Sequence, residues 1–391
     1  MDYYKQALAL HAQHHGKLEI KSKVPVKTRD DLSVAYTPGV AEPCRAIAQD
    51  PAAAYTYTCK ANTVAVVTNG TAVLGLGNIG AAAAQPVMEG KAILFKEFGG
   101  VDAFPICLDT QDPDKVVEAV RLIAPVFGGI NLEDIASPAC FSIEETLERE
   151  LDIPVFHDDQ HGTAIVVTAA LLGALRVVKK NLADVRIVLN GQGAAGTAIV
   201  KMLLAAGAKH IVACDEHGIL HRGRGVGIAD HKAMLCEITN EQGLAGTLAD
   251  AVRGADVFIG VSVGGALTQD MARTMAKDAV VFAMANPVPE ITPEDAKAAG
   301  VRVVGTGRSD HPNQINNVLA FPGVFKGALR VRARDINSEM KVAAAQAIAG
   351  LVGEGELCED YIIPGAFDAR VAGTVADAVA EAARRTGVAR L

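Results

Sequence analysis

Tryptophan is absent from this sequence of 391 residues, and aromatic residues make up only 4% of it. Glycine is abundant by contrast, with 38 residues, and 50% of the chain is hydrophobic. Small residues at this frequency favour helices packed tightly on sheets. The length predicts two or three domains with sizeable buried cores.

A basic tract is also missing. Lysine and arginine number 37 against 45 aspartates and glutamates, which gives a formal net charge of -8. A negative chain without a basic face repels the phosphates of nucleic acids and of anionic membranes. We therefore expect neither nucleic acid nor membrane as a partner.

Paired cysteines are lacking as well. The 7 cysteines are odd in number and scattered, and no CxxC motif occurs. This usage is typical of reduced cysteines in a cytosol and excludes a disulfide framework. The N-terminal residues have no apolar signal-peptide core, and no run approaches the length of a membrane span. These absences predict a cytoplasmic protein.

Two acidic pairs stand out within residues 131–164, namely Glu133-Asp134 and Asp158-Asp159. A helical pattern and a short apolar strand separate them, so both pairs can lie at the ends of neighbouring elements and converge. Because like charges repel at close range, a divalent cation would explain their meeting. Oxygen ligands suit Mg²⁺ or Mn²⁺. The alternative is a pair of solvated turns or helix N-terminal charges.

The histidines in this stretch permit a second metal hypothesis. His157 and His161 are four residues apart, as in a zinc-binding helix motif. That motif requires glutamate after the first histidine, whereas Asp158 stands here and Gly162 follows the second. We favour turn or cap histidines over zinc.

A dinucleotide-binding pattern begins near residue 185. It consists of a strand, a glycine loop, a helix and a second strand that ends at Asp215. The loop reads Gly191, Gln192, Gly193, Ala194, Ala195, Gly196. The three glycines would permit a tight turn, the approach of a pyrophosphate and close packing of helix on sheet. The helix N-terminus would attract the phosphates.

Asp215 bears on the choice between NAD and NADP. Its carboxylate can accept hydrogen bonds from the ribose 2′-hydroxyl and repel a 2′-phosphate, which favours NAD. His217, Arg222 and Arg224 follow closely and could hold that phosphate. NADP is therefore the alternative cofactor.

A second glycine motif, at residues 75–80, is a weaker candidate. We expect Pro86 to interrupt the following helix, and no acidic strand end lies about twenty residues on. These glycines more plausibly allow close backbone contact. Lys91 is either a surface lysine or, beside a metal, a base with a lowered pKa. Tyr36, at a Pro-Gly turn, is a packed side chain or a positioned phenol.

Helices and strands continue to alternate after residue 247, which predicts a doubly wound sheet. The fold class is therefore α/β, with an N-terminal α/β domain (residues 1–160) and a Rossmann-like domain with C-terminal helices (residues 161–391). Asn286 and Asn317 lie in polar clusters at strand ends, where open parallel sheets bind ligands. Each is a loop cap or a contact for a carboxylate or the nicotinamide.

Eight motifs occur in order along nearly the whole chain. They are AYTPGVAEP, GLGNIG, EGKAILFKEFGGVDAFP, GGINLEDI, PVFHDDQHGTA, NGQGAAG, ANPVPEI and TGRSDHPNQINNVLAFPG. As a set they resemble the bacterial short-form malic enzymes. The resemblance implies oxidative decarboxylation of (S)-malate to pyruvate and CO₂ with reduction of NAD(P), by a metal-dependent homodimer.

The resemblance also implies a role for each matching residue. Lys91 matches the general base and Tyr36 the general acid. The other matches are the metal ligands Glu133, Asp134 and Asp159, their neighbour Asp158, and the substrate- and cofactor-contacting Asn286 and Asn317.

The sequence departs from the family pattern in two places. Gln192 stands where the family often has alanine and would add a polar side chain near the pyrophosphate. The stretch NGTAVLGLG has no arginine for the distal carboxylate of the substrate. Two alternatives stay open. One is a decarboxylase of oxaloacetate or an oxidoreductase of another hydroxy-diacid, and the other is a non-catalytic dinucleotide sensor.

Overall fold

The structure is a computed structural model, which describes residues 2–73, 75–228 and 230–391. Ten strands form the frame of the fold in these residues. The strands are β1 (Thr63–Thr68), β2 (Asp102–Cys107), β3 (Gly129–Leu132), β4 (Val155–His157), β5 (Arg186–Asn190), β6 (His210–Asp215), β7 (Gly218–Ile219), β8 (Val257–Gly260), β9 (Val280–Ala283) and β10 (Val303–Thr306).

Sixteen α-helices accompany these strands in the part of the chain that is described. They are α1 (Tyr3–His14), α2 (Arg29–Ala35), α3 (Ala41–Gln49), α4 (Ala54–Tyr57), α5 (Ala81–Leu94), α6 (Pro113–Ile123), α7 (Ala139–Glu150), α8 (Asp158–Val178), α9 (Ala194–Ala205), α10 (Asp230–Ile238), α11 (Leu248–Val252), α12 (Gln269–Arg273), α13 (Pro293–Ala298), α14 (Phe321–Arg330), α15 (Ser338–Gly350) and α16 (Val371–Arg385).

The first sheet has four parallel strands in the order β2-β1-β3-β4. Strands β1 and β3 are buried along their whole length, as the run of β-branched residues in β1 predicts. The carboxyl ends of parallel strands lie at one edge of a sheet. The residues that follow β3 and β4 therefore meet there.

The second sheet has six strands in the order β10-β9-β8-β5-β6-β7, with only β7 antiparallel. The chain leaves β5 toward β6 on one side and returns to β8 on the other. Ligands of open α/β sheets bind at such a reversal, beyond the carboxyl ends of the strands. The α/β class and the doubly wound sheet are both confirmed.

Helix α8 begins at Asp158, within the second acidic pair. By length and mean hydropathy (1.7) it could cross a membrane, contrary to our expectation that no run approaches a span. However, 67% of its most apolar window is buried within the fold, and a helix apolar all round is typical of a protein core. Helix α8 also runs unbroken through residues 160 and 161. The domain boundary that we placed between these two residues therefore stays a prediction.

Helix α5 contradicts the expectation that Pro86 would interrupt it, because it continues through Pro86 to Leu94. A proline inside a helix costs about 3 kcal/mol. Ala84 and Met88, on either side of Pro86, are fully buried against the first sheet. This packing outweighs the local cost.

The C-terminal helices join the two sheets. The ring of Phe95, after α5, lies 4.7 Å from that of Phe321 and 5.3 Å from that of Phe325. Helix α14, which we did not predict, passes close to α16. A Cβ on Gly327 would lie 2.5 Å from the carbonyl oxygen of Ala376. Helix α14 therefore packs both on the residue that follows α5 and on α16.

The N-terminal segment, residues 2–62, contains no buried side chain. Helices α1 to α4 lie in it, and the segment exposes many large apolar residues in these helices and in the loops between them. These include Tyr3, Tyr4, Leu8, Ile20, Val24, Val26, Val34, Tyr36 and Tyr57. An apolar surface of this extent is typical of an interface.

Candidate active site

The two acidic pairs converge at the carboxyl edge of the first sheet. Leu132 pairs with His157 in the register of β3 and β4, so Glu133 and Asp158 come next on adjacent strands. One carboxylate oxygen each from Glu133, Asp134 and Asp159 lies within 4.8 Å of the others. The backbone N–H of Asp134 donates to Oδ2 of Asp159 at 2.8 Å.

The donor set of these three residues fits a divalent cation. All the donors are carboxylate oxygens, which Mg²⁺ and Mn²⁺ prefer. Burial raises the pKa of Glu133, and the negative charge of Asp159 adds to this shift. The positive charge of Lys91 lowers the pKa but does not cancel the shift. A cation would offset both effects.

Lys91 lies on α5 and is buried between two carboxylates. Its Nζ is 2.6 Å from Oδ2 of Asp158 and 2.9 Å from Oε1 of Glu133. It also lies 4.3 Å from the ring centre of Phe321. Burial alone would lower its pKa, but the two carboxylates raise it above the ordinary value. The alternative of a surface lysine is wrong, because Lys91 is buried, and the lowered pKa expected beside a metal stays a prediction.

Asp158 is the centre of the polar cluster. Its Oδ2 accepts hydrogen bonds from Lys91 and from the side-chain amide of Asn317. Burial raises the pKa of Asp158 to about 6, and the charge of Glu133 acts in the same direction. The charge of Lys91 opposes this shift. Gly162 lies one turn further along α8, where a Cβ would be 1.9 Å from Oδ1 of Asp158. Only glycine fits this position without moving the carboxylate.

The glycine motif at residues 75–80 faces the loop after β9. A Cβ on Gly75 would lie 3.7 Å from the carbonyl oxygen of Asn286, and one on Gly70 would lie 2.3 Å from that of Gly80. The loop is also held to the metal-ligand turn, because the N–H of Ala72 donates to the Asp134 carbonyl at 3.0 Å. A Cβ on Gly77 or Gly80 would meet nothing within 4 Å, so the close backbone contact expected of the motif's glycines is found at Gly70 instead. The contact of Gly75 places exposed Asn286 near the acidic edge.

The glycine loop of the second sheet lies at the point where the strand order reverses. Gly191 has φ +103° and would place a Cβ 2.5 Å from the carbonyl oxygen of Val261. A Cβ on Gly196 would lie 1.8 Å from the carbonyl oxygen of Gly191. A Cβ on Gly193, in contrast, would meet nothing within 4 Å. The open side of the loop and the N-terminus of α9, at Ala194 and Ala195, fit a dinucleotide phosphate.

Gln192 points away from this open side. Its side chain is buried, and Nε2 donates to the carbonyl oxygens of Leu189 at 2.9 Å and Cys214 at 3.3 Å. The expectation that Gln192 adds a polar side chain near the pyrophosphate is wrong. The sheet offers buried carbonyl oxygens that this amide satisfies.

Asp215 ends β6 but is not free to bind a ribose. Arg224 donates to both of its oxygens, at 2.8 and 2.6 Å. Lys232 donates to Oδ2 at 2.8 Å and the N–H of His217 to Oδ1 at 2.9 Å. A carboxylate accepts about four hydrogen bonds. Burial would raise the pKa of Asp215, but the hydrogen bonds from Arg224 and Lys232 outweigh it and lower the pKa to about 2.

Comparison with known proteins agrees with this geometry. Residues 15–148 match the family described as malic enzyme, N-terminal domain, and residues 160–384 match malic enzyme, NAD binding domain. The chain belongs to the malic enzyme family.

The similarity to individual malic enzymes extends over the whole chain. The bifunctional malic/malolactic enzyme of Bacillus subtilis is 61% identical, over 100% of this chain and 95% of that protein. The NAD-dependent malic enzyme of Geobacillus stearothermophilus is 61% identical, over 96% of this chain and 78% of that protein. The crystal structure of malic enzyme from Pyrococcus horikoshii has a TM-score of 0.95 at 50% identity, over 99% of this chain and 92% of that chain.

Tyr36, the residue matching the general acid of malic enzymes, is not brought into the cluster. It follows α2 in the N-terminal segment, its side chain is 67% exposed, and the described residues give its hydroxyl no hydrogen-bond partner. Asn317 does contact Asp158 at the acidic edge, and Asn286 lies beside the glycine motif at residues 75–80.

Sequence reasoning missed Glu144, a buried carboxylate behind the acidic edge. Oε1 of Glu144 lies 3.0 Å from Nε2 of His161. His161 therefore turns to Glu144, and no group of potential metal ligands in the described chain contains both His157 and His161. The sequence did carry a signal, because Glu144 falls on the apolar face of α7 with Cys140 and Leu147.

Proposed function

We propose that this chain catalyses the oxidative decarboxylation of (S)-malate to pyruvate and CO₂ with reduction of NAD(P). The observation that carries the proposal is the position of Lys91, which is buried between Glu133 and Asp158 at the edge where the carboxylates converge. A non-catalytic sensor would need neither the buried lysine nor the acidic group. Membership of the malic enzyme family supports the same activity.

Glu133, Asp134 and Asp159 would hold Mg²⁺ or Mn²⁺, and the loop at Gly191 would hold the dinucleotide. When bound, the cation would acidify a substrate hydroxyl group and compete with Lys91 for Glu133, and the nicotinamide would accept a hydride. Lys91 Nζ receives the proton that leaves the C2 hydroxyl. For this it must first be neutral, and with Glu133 engaged elsewhere only Asp158 would still raise its pKa.

Asn317 and Asn286 orient the reactants in this proposal. Asn317 already donates to Asp158 and so fixes the carboxylate that faces Lys91. Asn286 is exposed beside the glycine motif of the first domain, where it can reach the substrate or the nicotinamide amide. Both amides offer donors that match a carboxylate.

Tyr36 supplies the proton that C3 receives after CO₂ has left. Because Tyr36 is exposed in a segment with no buried side chain, we propose that a second copy of the chain covers this segment. In the resulting homodimer, Tyr36 of one subunit completes the site of its partner. All seven cysteines are free, which fits a reducing cytoplasm.

The charges around Asp215 support the use of NADP as well as NAD. Arg224 and Lys232 both pair with this carboxylate, and Lys232 also lies 3.4 Å from Oε1 of Glu216, so the charge of Asp215 is compensated. A neutralised carboxylate does not repel a 2′-phosphate, and the two cations attract it.

The decisive experiment measures absorbance at the reduced-nicotinamide band with malate and Mn²⁺, using NAD and NADP in parallel, together with pyruvate. Reduction with an equal amount of pyruvate is the expected result. Reduction without pyruvate would point to an oxidoreductase of another kind. Pyruvate from oxaloacetate with no reduction would point to a decarboxylase, and cofactor binding without either reaction to a sensor.

A further inference from the structure

Glu144 makes three polar contacts with one short segment of the chain. The backbone N–H of His157 donates to its Oε1 at 2.7 Å, and Nε2 of Gln160 donates to its Oε2 at 2.8 Å. Nε2 of His161 lies 3.0 Å from Oε1. Glu144 comes from α7, whereas all three partners belong to the end of β4 and the first turn of α8.

These partners bracket the two aspartates of the candidate active site. His157 precedes Asp158, and Gln160 and His161 follow Asp159 directly. Contacts on both sides of the aspartates restrict where the backbone of the turn can lie. The backbone in turn sets the position of Oδ2 of Asp158, 2.6 Å from Lys91.

Nothing else in the proposed chemistry requires this buried charge. Glu144 is 5% exposed and touches neither Lys91 nor the three candidate ligands by a hydrogen bond in the described chain. A buried carboxylate is unfavourable unless hydrogen-bond donors satisfy it. The three donors satisfy Glu144, and His161 in particular helps to keep its pKa low, at about 2, in spite of burial.

We propose that Glu144 is a positioning residue for the turn at residues 157–161. It holds Asp159 toward Glu133 and Asp134 from one side, while the N–H of Asp134 holds Asp159 from the other at 2.8 Å. The role rests on the proposed function, because it concerns the ligands of the same site. Partners of metal ligands that do not themselves touch the metal affect affinity by 10–100-fold.

The chain offers a matched control on the same helix. Glu148 lies one turn along α7 and lines the same cavity of about 270 Å³, but no described hydrogen bond joins it to the turn. Glu144→Gln keeps the size of the side chain and replaces one acceptor oxygen by an amide donor. That donor would face Gln160, whose side-chain amide must turn over to accept it, and the contact with His161 would lose its negative charge. Glu148→Gln changes none of these contacts.

The test measures Mn²⁺ affinity by electron paramagnetic resonance on the full chain, without substrate or cofactor. We expect Glu144→Gln to raise the Kd for Mn²⁺ by about 10-fold or more and Glu148→Gln to leave it within about twofold. Circular dichroism and the affinity for ADP-ribose, measured by calorimetry, should match the parent. An unchanged Mn²⁺ affinity in Glu144→Gln would overturn the proposal, as would equal losses in both variants.

A second variant covers the case in which Glu144→Gln does not fold. Gln160→Met removes one of the three contacts and keeps the buried carboxylate, so a smaller rise in the Mn²⁺ Kd is expected. No rise would overturn the positioning role. The test is also independent of the reaction. If the variants weaken Mn²⁺ binding while the parent does not oxidise malate, the proposed function fails and the role of Glu144 stands.

Discussion

Single atoms decide whether the acidic cluster can form. Lys91 can be buried only because Asp158 and Glu133 compensate its charge, and Asp158 can approach only because residue 162 has no side chain. The site therefore depends on a glycine that takes no part in the chemistry.

We predict that Gly162→Ala abolishes this arrangement. The new Cβ would lie 1.9 Å from Oδ1 of Asp158, so the carboxylate must move away from Lys91. We expect malate-dependent kcat to fall by about 10²-fold or more, since Lys91 would lose its partner. Steady-state kinetics measure the effect.

Gly373→Ala is the control for this substitution. Gly373 lies in α16, and a Cβ there would meet nothing within 4 Å. Alanine should stabilise this helix by about 0.5–1 kcal/mol and leave kcat unchanged. Full activity in Gly162→Ala would contradict the dependence on glycine.

Arg224 occupies both carboxylate oxygens of Asp215 and therefore limits the hydrogen bonds that Asp215 can accept from the cofactor. We predict that Arg224→Ala shifts the ratio of kcat/KM for NADP to that for NAD about tenfold toward NAD. The variant loses a cation that attracts the 2′-phosphate and frees an acceptor for the ribose hydroxyls. Kinetics with both cofactors measure the ratio.

Arg222→Ala is the matched control for cofactor choice. Arg222 is exposed and pairs with Glu237 rather than with Asp215. Its removal should leave the ratio unchanged. A shift toward NADP in Arg224→Ala would show that Arg224 instead holds Asp215 in place to bind NAD.

At the scale of elements, ion pairs connect segments that are distant in the sequence. Asp215, whose side chain is 1% exposed, joins the end of β6 to Arg224 and to Lys232 on α10. A carboxylate with a depressed pKa stabilises the fold above its unfolded-state pKa, near 3.9. That contribution disappears as the pH falls through the folded-state value.

We predict that the stability difference between the parent and Asp215→Asn depends on pH in this direction. The parent should be the more stable at pH 6, and the difference should shrink as the pH falls from about 4 toward 2, because the pKa of Asp215 is about 2. Urea midpoints at several pH values measure it. A difference that grows in acid would contradict the sign.

Asp310→Asn provides the comparison for an exposed pair. Asp310 also has a pKa lowered to about 2, by Arg308, but the pair lies at the surface. Surface pairs contribute little to stability because solvent screens them. The pH-dependent difference should therefore be smaller than for Asp215.

At the scale of the whole molecule, the proposed dimer would be formed through the N-terminal segment. We predict that the chain sediments as a dimer, and that Tyr36→Phe and Lys91→Ala chains, each nearly inactive, regain activity when they are mixed and allowed to exchange. A mixed dimer has one site with both Lys91 and Tyr36 only if these residues come from different subunits. Activity after mixing measures this.

The control is a double variant, Tyr36→Phe with Lys91→Ala, mixed with each single variant. These mixtures cannot form a site with both native residues and should stay inactive. If the two single variants form dimers but give no activity, Tyr36 acts within its own subunit.

The sequence by itself determined the class of the fold and the position of most of the site along the chain. A run of β-branched residues predicts the buried strand β1, and Thr268 and Thr292 are residues typical of the N-cap positions that they occupy. Local periodicity and turn chemistry carry this information. The acidic pairs and the glycine loop are likewise local patterns.

Only the tertiary structure decided which groups these patterns contact. It continued α5 through Pro86, turned Gln192 into the sheet, and saturated Asp215 with Arg224 and Lys232. It buried Lys91 between Asp158 and Glu133, whose charges raise its pKa. Each outcome depends on packing or on groups that are distant along the chain. Hydrogen bonds and charge interactions depend on the distance between atoms in space and not on their separation in the sequence.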